Sequence, residues 1–329
     1  MSFKLSVLDQ SMARGRNEGA LALQETIEMA KWCESLGYER FWISEHHAFP
    51  SVAGSAPEVL LAALGAATNT IRLGSGGIML PHYSPYKIAE VFSVLSNLYP
   101  DRIDLGVGRA PGADMDTARA LATDGRPKFE AFPSLVEKLS EYLWQDITQP
   151  MVSPKPHEDI PVWMLGSSPD SAQLAARLGL PYNLAAFINP QAHENIMQFY
   201  QDNFKPSALW KKPHSILTIG VFCADTEEQA KALQLTFDIN FFRFITGHTQ
   251  GSFLTPQEAQ LHPITPQLAD FMKSRNGLRA VGTPDQVKSK ITAIAQRFAV
   301  DEIMMVSNMY YLSDRKRSFE LVMNAFSQE

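Results

Sequence analysis

The sequence predicts an α/β fold, a (β/α)8 TIM barrel with a lid segment inserted before the last helix–strand unit. Three observations carry this expectation. Short apolar runs alternate with amphipathic helical stretches along the chain. Eight such units fit within 329 residues, and no linker-like shift in composition divides them. The strands read as apolar throughout, the pattern of a parallel sheet covered on both faces. We therefore expect one domain over 1–329, with 247–279 as the lid within it. An open doubly wound sheet has the same element order, so strand count alone does not establish closure.

The elements follow in order. Residues 3–8 form the first strand. Leu23, Ile27, Ala30 and Cys33 then share one helical face, and Gly37 ends that helix. The second strand is 40–45. Pro57 opens a helix whose body, 59–64, is apolar nearly all round. Such a helix is expected to be covered twice, by the barrel and by a second copy of the chain in a homodimer. The third strand is 71–80. Ser84 and Pro85 are a good N-cap and first-turn residue for a helix with Ile88, Val91, Phe92 and Leu95 on one face. The fourth strand is 102–107.

After a longer loop come a helix over 129–144 and the fifth strand, 161–165. Ser168-Pro169-Asp170 caps a helix through Leu178. The sixth strand, 182–187, precedes a helix over 190–204. The seventh strand is 215–223, and Thr226-Glu227-Glu228 opens a long helix. Segment 247–279 breaks the rhythm. It holds Gly, Pro and polar residues and is too long for a structureless connection, so it reads as a partly ordered lid. Thr283-Pro284-Asp285 opens a helix with Val287, Ile291, Ile294 and Phe298 in register. The eighth strand is 302–306, and 315–326 closes the chain as a helix.

Composition narrows the function classes. With 45% apolar and 19% charged residues, the chain is ordinary globular protein. It has 29 Lys and Arg against 35 Asp and Glu, a formal charge of −6, and no basic stripe of a dedicated nucleic-acid binder. Two cysteines, Cys33 and Cys223, are too few for a disulfide framework or a cysteine zinc site. Their apolar surroundings suit buried thiols in a reducing compartment. The longest apolar stretch, 59–67, is too short to span a bilayer. No signal-peptide core is seen near the start, so the cytoplasm is the expected location, without a membrane or nucleic-acid partner.

In such a barrel the chemistry sits at the C-terminal ends of the strands. After the second strand stand Glu45-His46-His47. A histidine there suits a general base, a charge stabiliser or a metal ligand; a hydrogen-bonded histidine pair is the structural alternative. The third strand carries Gly74-Ser75-Gly76-Gly77, then Pro81-His82-Tyr83. Glycines inside a strand mark a bulge or the close approach of a flat ligand. After the fourth strand comes Gly106-Val107-Gly108-Arg109-Ala110-Pro111-Gly112, which is not the dinucleotide fingerprint. Arg109, with Arg119 further on, offers planar donor forks for an anion; surface ion pairs are the alternative.

After the fifth strand, Gly166-Ser167-Ser168-Pro169-Asp170-Ser171 meets a helix N-terminus. That is a phosphate cradle or a simple cap. Strands four and five are neighbours in a barrel, so the two features together point to a phosphorylated ligand between them. Asp9, Tyr83 and Asn308 are weaker candidates for the pocket wall, and Trp42 and Phe187 for its apolar lining. A metal-dependent hydrolase using Glu45, His46, His47 and His82 is a competing reading, although no metal ligand is assigned.

Several motifs, taken in order, carry a resemblance. They are Trp42-Ile43-Ser44-Glu45-His46-His47, Arg72-Leu73-Gly74-Ser75-Gly76-Gly77-Ile78-Met79-Leu80-Pro81 and Arg102-Ile103-Asp104-Leu105-Gly106-Val107-Gly108-Arg109. Asp114-Met115-Asp116 through Arg119-Ala120-Leu121 and Ala175-Ala176-Arg177-Leu178-Gly179-Leu180-Pro181 follow. Together they resemble the bacterial luciferase-like family of flavin-dependent monooxygenases, over nearly the whole chain. The resemblance implies a (β/α)8 barrel that binds FMN, reduced by a separate flavin reductase. Reduced flavin and O2 then form a C4a-hydroperoxide that oxidises a small organic substrate, for which the lining by Trp42, Phe187 and the lid suggests an apolar or aromatic molecule.

Position by position, Arg109 and Arg119, beside Gly108, match the residues that grip the flavin phosphate. Gly166, Ser167, Ser168 and Ser171 match the phosphate loop, and Gly76-Gly77 the site of a cis peptide beneath the flavin. His46 matches the catalytic base, with Glu45 and His47 around it. Segment 247–279 matches the mobile lid, and most relatives are homodimers. Gly108 stands where luciferase has a reactive cysteine, Ser167 where it has glutamate, and the loop from Arg109 to Arg119 is shorter. Light emission is therefore not expected. An oxidoreductase using the deazaflavin F420, or a flavin-binding protein without turnover, are alternatives on the same fold; the closer resemblance is to the FMN branch.

Overall fold

The computed structural model describes residues 3–15, 17–145, 149–247 and 253–327. Its strands are β1 (Lys4–Asp9), β2 (Arg40–Ile43), β3 (Arg72–Met79), β4 (Ile103–Gly108), β5 (Val162–Gly166), β6 (Tyr182–Ala185), β7 (Ser215–Cys223), β8 (Arg279–Gly282) and β9 (Glu302–Val306). The first six helices are α1 (Gly19–Leu36), α2 (Pro57–Ala67), α3 (Pro85–Leu98), α4 (Met115–Leu121), α5 (Phe132–Trp144) and α6 (Pro169–Leu178). The rest are α7 (Glu194–Asp202), α8 (Glu227–Ile245), α9 (Pro256–Gln260), α10 (Pro266–Arg275), α11 (Pro284–Phe298) and α12 (Leu312–Ser327).

All the strand pairs within this sheet are parallel. The barrel runs β1 to β7 and then β9, which pairs back to β1, while β6 pairs with β7. The sheet is closed, as eight units without a linker-like break led us to expect. Local signals act as read. Ser84 Oγ accepts the Lys87 N–H at the start of α3, and Gly37 takes φ 84° at the end of α1.

Four expectations need correction. A ninth short strand, β8, takes Arg279 from the end of the expected insertion and adds to the C-terminal half of β7. Its four residues lack the length of a periodic signal. The second strand ends at Ile43, not at residue 45, because the chain peels away: His46 N–H turns to Gly54 O and His47 N–H to Gly112 O. Helix 190–204 shortens to α7, and helix 129–144 begins only at Phe132.

Residues of alternating parity face either the barrel axis or the helices. Leu5, Val7, Phe41, Ile43, Leu73 and Leu105 join the main core under the helices. Leu8, Trp42, Trp163, Ile216, Met304 and Val306 fill the axis. Below them, at the N-terminal end, lies a charge network. Arg40 Nη1 donates to Asp104 Oδ2 (2.7 Å), and Arg40 Nε to both oxygens of Glu302 (2.8 and 3.1 Å). Arg72 Nη2 donates to Asp104 Oδ1 (2.6 Å), and the Trp42 indole N–H to Asp104 Oδ2 (3.1 Å). Burial opposes ionisation of Asp104, but the Arg40 and Arg72 charges outweigh it and hold its carboxyl below the ordinary value.

Trp42 and Trp163 meet edge to face at 5.3 Å. Gly74 makes room for them: a Cβ there would lie 2.5 Å from the Trp42 indole nitrogen. Replacing Asp104 by asparagine leaves two arginines without their shared counter-charge. We expect Asp104→Asn to lower unfolding free energy by about 3–5 kcal/mol. Urea unfolding measures this; a loss below about 1 kcal/mol, the range of exposed ion pairs, contradicts it.

Candidate active site

A cavity of about 350 Å³ opens at the C-terminal end of the barrel. Gly76 and Val306 belong to its barrel side, with Ser44, Glu45 and His46 at the end of β2. Phe237, Phe241 and Phe244, spaced along one face of α8, form an aromatic wall, and Phe187 and Phe222 extend it. Phe253, Arg275 and Arg279 reach it from the inserted segment. That segment is ordered where described: α9 and α10 pack on α8 through Ala259, Leu268 and Ile239. Asn240 ties it down, donating to Leu254 O (2.9 Å) and accepting from Leu254 N–H (2.7 Å).

His46 is half-buried in this wall, its Nδ1 3.1 Å from Ser44 Oγ and its ring 6.0 Å from Phe49. Burial lowers its pKa; the Glu45 charge opposes this and His47 adds to it. The imidazole is thus held neutral near pH 7, with one N–H and one lone pair for proton transfer.

Glu45 and His47 act differently. The Glu45 carboxylate is fully buried. It accepts from His47 Nε2 (2.7 Å), Tyr83 OH (2.6 Å) and the Met79 N–H (2.9 Å). Burial, reinforced by Glu45, pushes the Tyr83 phenol far above its ordinary range, so it stays a donor. His82 Nε2 pairs with Pro111 O at 2.8 Å. These bonds tie the ends of β2, β3 and β4 together, so Glu45 and His47 position the wall around His46. The proposed metal donors are turned to other partners, and among the described residues no three His, Cys, Asp or Glu side chains are grouped to hold an ion.

The glycines of β3 combine both expected features. The Gly76–Gly77 peptide is cis, and the β3–β4 register shifts between Ser75 and Ile78. A Cβ at Gly76 would lie 2.6 Å from Leu8 Cδ1, and one at Gly77 2.7 Å from Gly106 O. Only Gly76 of the pair lines the cavity.

The anion-compatible features adjoin, because β4 pairs with β5 through Val107 and Met164. Gly108 ends β4, and Arg109 after it is exposed with no partner among the described residues. Gly166 ends β5, and Ser167 and Ser168 are half-buried at the start of α6, where the Ser168 hydroxyl makes no capping bond. Ser171 Oγ is engaged, donating to Ser168 O (2.7 Å) and pairing with Tyr182 OH (3.0 Å). Arg119 lies exposed on α4, 2.7 Å from Asp116. None of these residues lines the cavity itself.

Three lining expectations are corrected. Tyr83 is bonded to Glu45 and does not line the cavity. Trp42 is sealed inside the barrel by its bond to Asp104, and Asp9 is buried, accepting from Ser11 N–H, Thr26 Oγ1 and Arg315 Nη1. Asn308 and Phe187 do line the cavity. Gln10, Arg14, Arg275, Arg279 and the phenylalanines of α8 also line the cavity, and none of them was expected there from the sequence. The 237, 241, 244 spacing was a usable signal; the arginines follow no local pattern.

A closed parallel barrel with a pocket at its C-terminal mouth, holding a neutral histidine, is an enzyme architecture. The chain belongs to the luciferase-like monooxygenase family, whose model matches residues 1–302. It is 36% identical to a luciferase-like monooxygenase of Escherichia coli strain K12, over 97% of this chain and 96% of that one. It is 33% identical to the N-acetyl-S-alkylcysteine monooxygenase of Bacillus subtilis strain 168, over 98% of each. The crystal structure of apo-MsnO8 superposes with a TM-score of 0.92 at 38% identity, over 99% of both chains. More distant structures share the fold alone. They include the oxygenating constituent of a 3,6-diketocamphane monooxygenase from Pseudomonas putida in complex with FMN (TM-score 0.70, 17% identity, 99% and 98% covered). An F420-dependent secondary alcohol dehydrogenase is another (0.65, 15%, 99% of both).

The lowered pKa of His46 has a signed consequence. Its folded value lies below the unfolded 6.5, so the unfolded chain takes up the proton more readily. This contribution to stability is complete above about pH 6.5 and is lost as pH falls through the folded value. An NMR titration is expected to place the His46 midpoint below that of a free imidazole, and a midpoint at or above it refutes the assignment.

Proposed function

We propose that this protein is an FMN-dependent monooxygenase that uses reduced flavin and O2 to oxidise a small organic substrate with an apolar body. One observation carries the reading: a largely apolar pocket with a neutral His46 opens beside two adjoining strand ends suited to a phosphate. The full-length relatives named above as monooxygenases support the reaction class, and the sequence motifs, which resemble the FMN branch more closely, support FMN over F420. The residues fit such a cofactor. Arg109 and the α6 N-terminus with Ser167 and Ser168 would hold its phosphate, with Gly108 and Gly166 giving access. Arg119 and Ser171 would join after exchanging their present partners. Gly76, with no side chain, would let a flat ring approach the wall.

When bound, reduced flavin supplies two electrons to O2, so that one oxygen atom enters the substrate and the other leaves as water. His46 would hold or move a proton at its imidazole nitrogen, while Glu45 and His47 keep it placed. The phenylalanines of α8 and the inserted segment, acting as a lid, would exclude water. A separate flavin reductase would deliver the cofactor through transient contact. Cys33 and Cys223 are buried free thiols, consistent with the cytoplasm, and burial pushes the Cys33 thiol well up. Among the described residues no helix is long and apolar enough to cross a membrane.

A homodimer belongs to the same proposal. The apolar helix α2 buries Leu60, Leu61 and Leu64 but leaves Val59 67% exposed, and α3, which packs against α2, exposes Val94 (44%) and Leu98 (58%). A second copy would cover this face.

Anaerobic titration is expected to show reduced FMN binding to the wild type and not reduced F420. Arg109→Ala should weaken FMN about tenfold to a hundredfold, the value of a charge-assisted bond. Absence of reduced-FMN binding refutes the proposal. Light scattering should report two copies for the wild type and one for Val59→Asp with Leu98→Asp; a wild-type monomer defeats the dimer.

A further inference from the structure

Three guanidinium groups interrupt the apolar cavity wall, those of Arg14, Arg275 and Arg279. Two of them have their counter-charge. Arg14 lies 3.0 Å from Glu18 and 2.9 Å from Glu25. Arg279 lies 2.8 Å from Asp238 and over the rings of Phe222 and Phe237. Arg275 differs. Among the described residues no carboxylate lies within 4.0 Å of it. Its Nη2 donates to Phe187 O (2.8 Å), but its Nε is buried with no partner. The guanidinium stacks 4.7 Å from the Phe241 ring and 5.5 Å from Phe271.

A cation so placed needs an explanation. Its site at the last residue of α10 and its two rings give partial compensation. Neither supplies an acceptor for Nε. Burial, then repulsion from Arg279, pushes the Arg275 pKa down to about 10, with Asp238 acting the other way. The protein thus holds a half-desolvated cation, with an unused donor and, among the described residues, no counter-charge, against the rings of Phe241 and Phe271.

We propose that Arg275 is the recognition group for a carboxylate on the substrate, whose apolar body lies along Phe241, Phe237 and Phe187. A carboxylate supplies the missing charge and the missing acceptor together. The substrate is then an amphiphilic acid, and Arg275 is its specificity-determining residue. This rests on reading the cavity as the substrate pocket of a monooxygenase, but not on turnover.

The test uses the purified protein and two probes of matched shape, 4-phenylbutyrate and its neutral amide, with calorimetry as readout. The wild type is expected to prefer the acid by about tenfold. Arg275→Gln should abolish that preference while the amide binds as before; Arg275→Lys, which keeps the charge, should retain part of it. Reduced-FMN affinity should be the same in Arg275→Gln as in the wild type. Equal binding of acid and amide to the wild type, no binding of the acid at millimolar concentration, or a preference that survives Arg275→Gln overturns the proposal. So does loss of FMN affinity in Arg275→Gln, which would make the cofactor phosphate the partner of this arginine. If reduced FMN does not bind but the acid preference holds, the cofactor assignment fails and the carboxylate site stands.

Discussion

The Asp104 carboxylate, buried at the N-terminal end of the barrel, organises the rest of the structure. It accepts from Arg40, Arg72 and the Trp42 indole, and Arg40 extends the network to Glu302. Four strands, β2, β3, β4 and β9, are thereby joined at one point. Such a network loses much if one partner is removed, because the remaining charges stay buried. It also sets the interior packing. Trp42 held by Asp104 occupies space that only a glycine at position 74 leaves free, and Trp163 closes on it. The axis is thus plugged, and the open space is confined to the C-terminal mouth.

A second buried carboxylate, Glu45, does comparable work at that mouth. Its three donors come from His47, Tyr83 and the Met79 backbone, so the wall of the cavity is assembled from segments distant in sequence. His46 sits beside this knot yet stays out of it, and burial keeps it neutral. The two adjacent histidines therefore have separate duties, one facing the pocket and one bracing it. The inserted segment completes the enclosure. Asn240 and the apolar contacts of α9 and α10 fix it on α8, and through Arg275 it brings a cation, without a counter-charge among the described residues, against the aromatic wall.

Much of the fold was legible because its signals are local. Capping at Ser84, the stop at Gly37 and the apolar spacing of Val287, Ile291, Ile294 and Phe298 act within one element, and the structure keeps them. Strand β8 was missed because four residues carry no periodicity, and its reason for being a strand is its partner β7. At the site, His46, Gly76 and Asn308 could be placed from their positions after strands. Trp42 and Asp9 could not, since their partners, Asp104 and Arg315, lie 62 and 306 residues away.

The sequence by itself determined the eight alternating strand–helix units of the barrel, the family, and which strand ends carry chemistry-bearing residues. Hydrophobic period, capping and motif spacing are properties of neighbours along the chain. Only the tertiary structure decided which of those residues share the cavity, which brace it, and which cation is left without a counter-charge. Those outcomes depend on contacts across the barrel, where burial and a distant partner together set the direction and charge of each side chain.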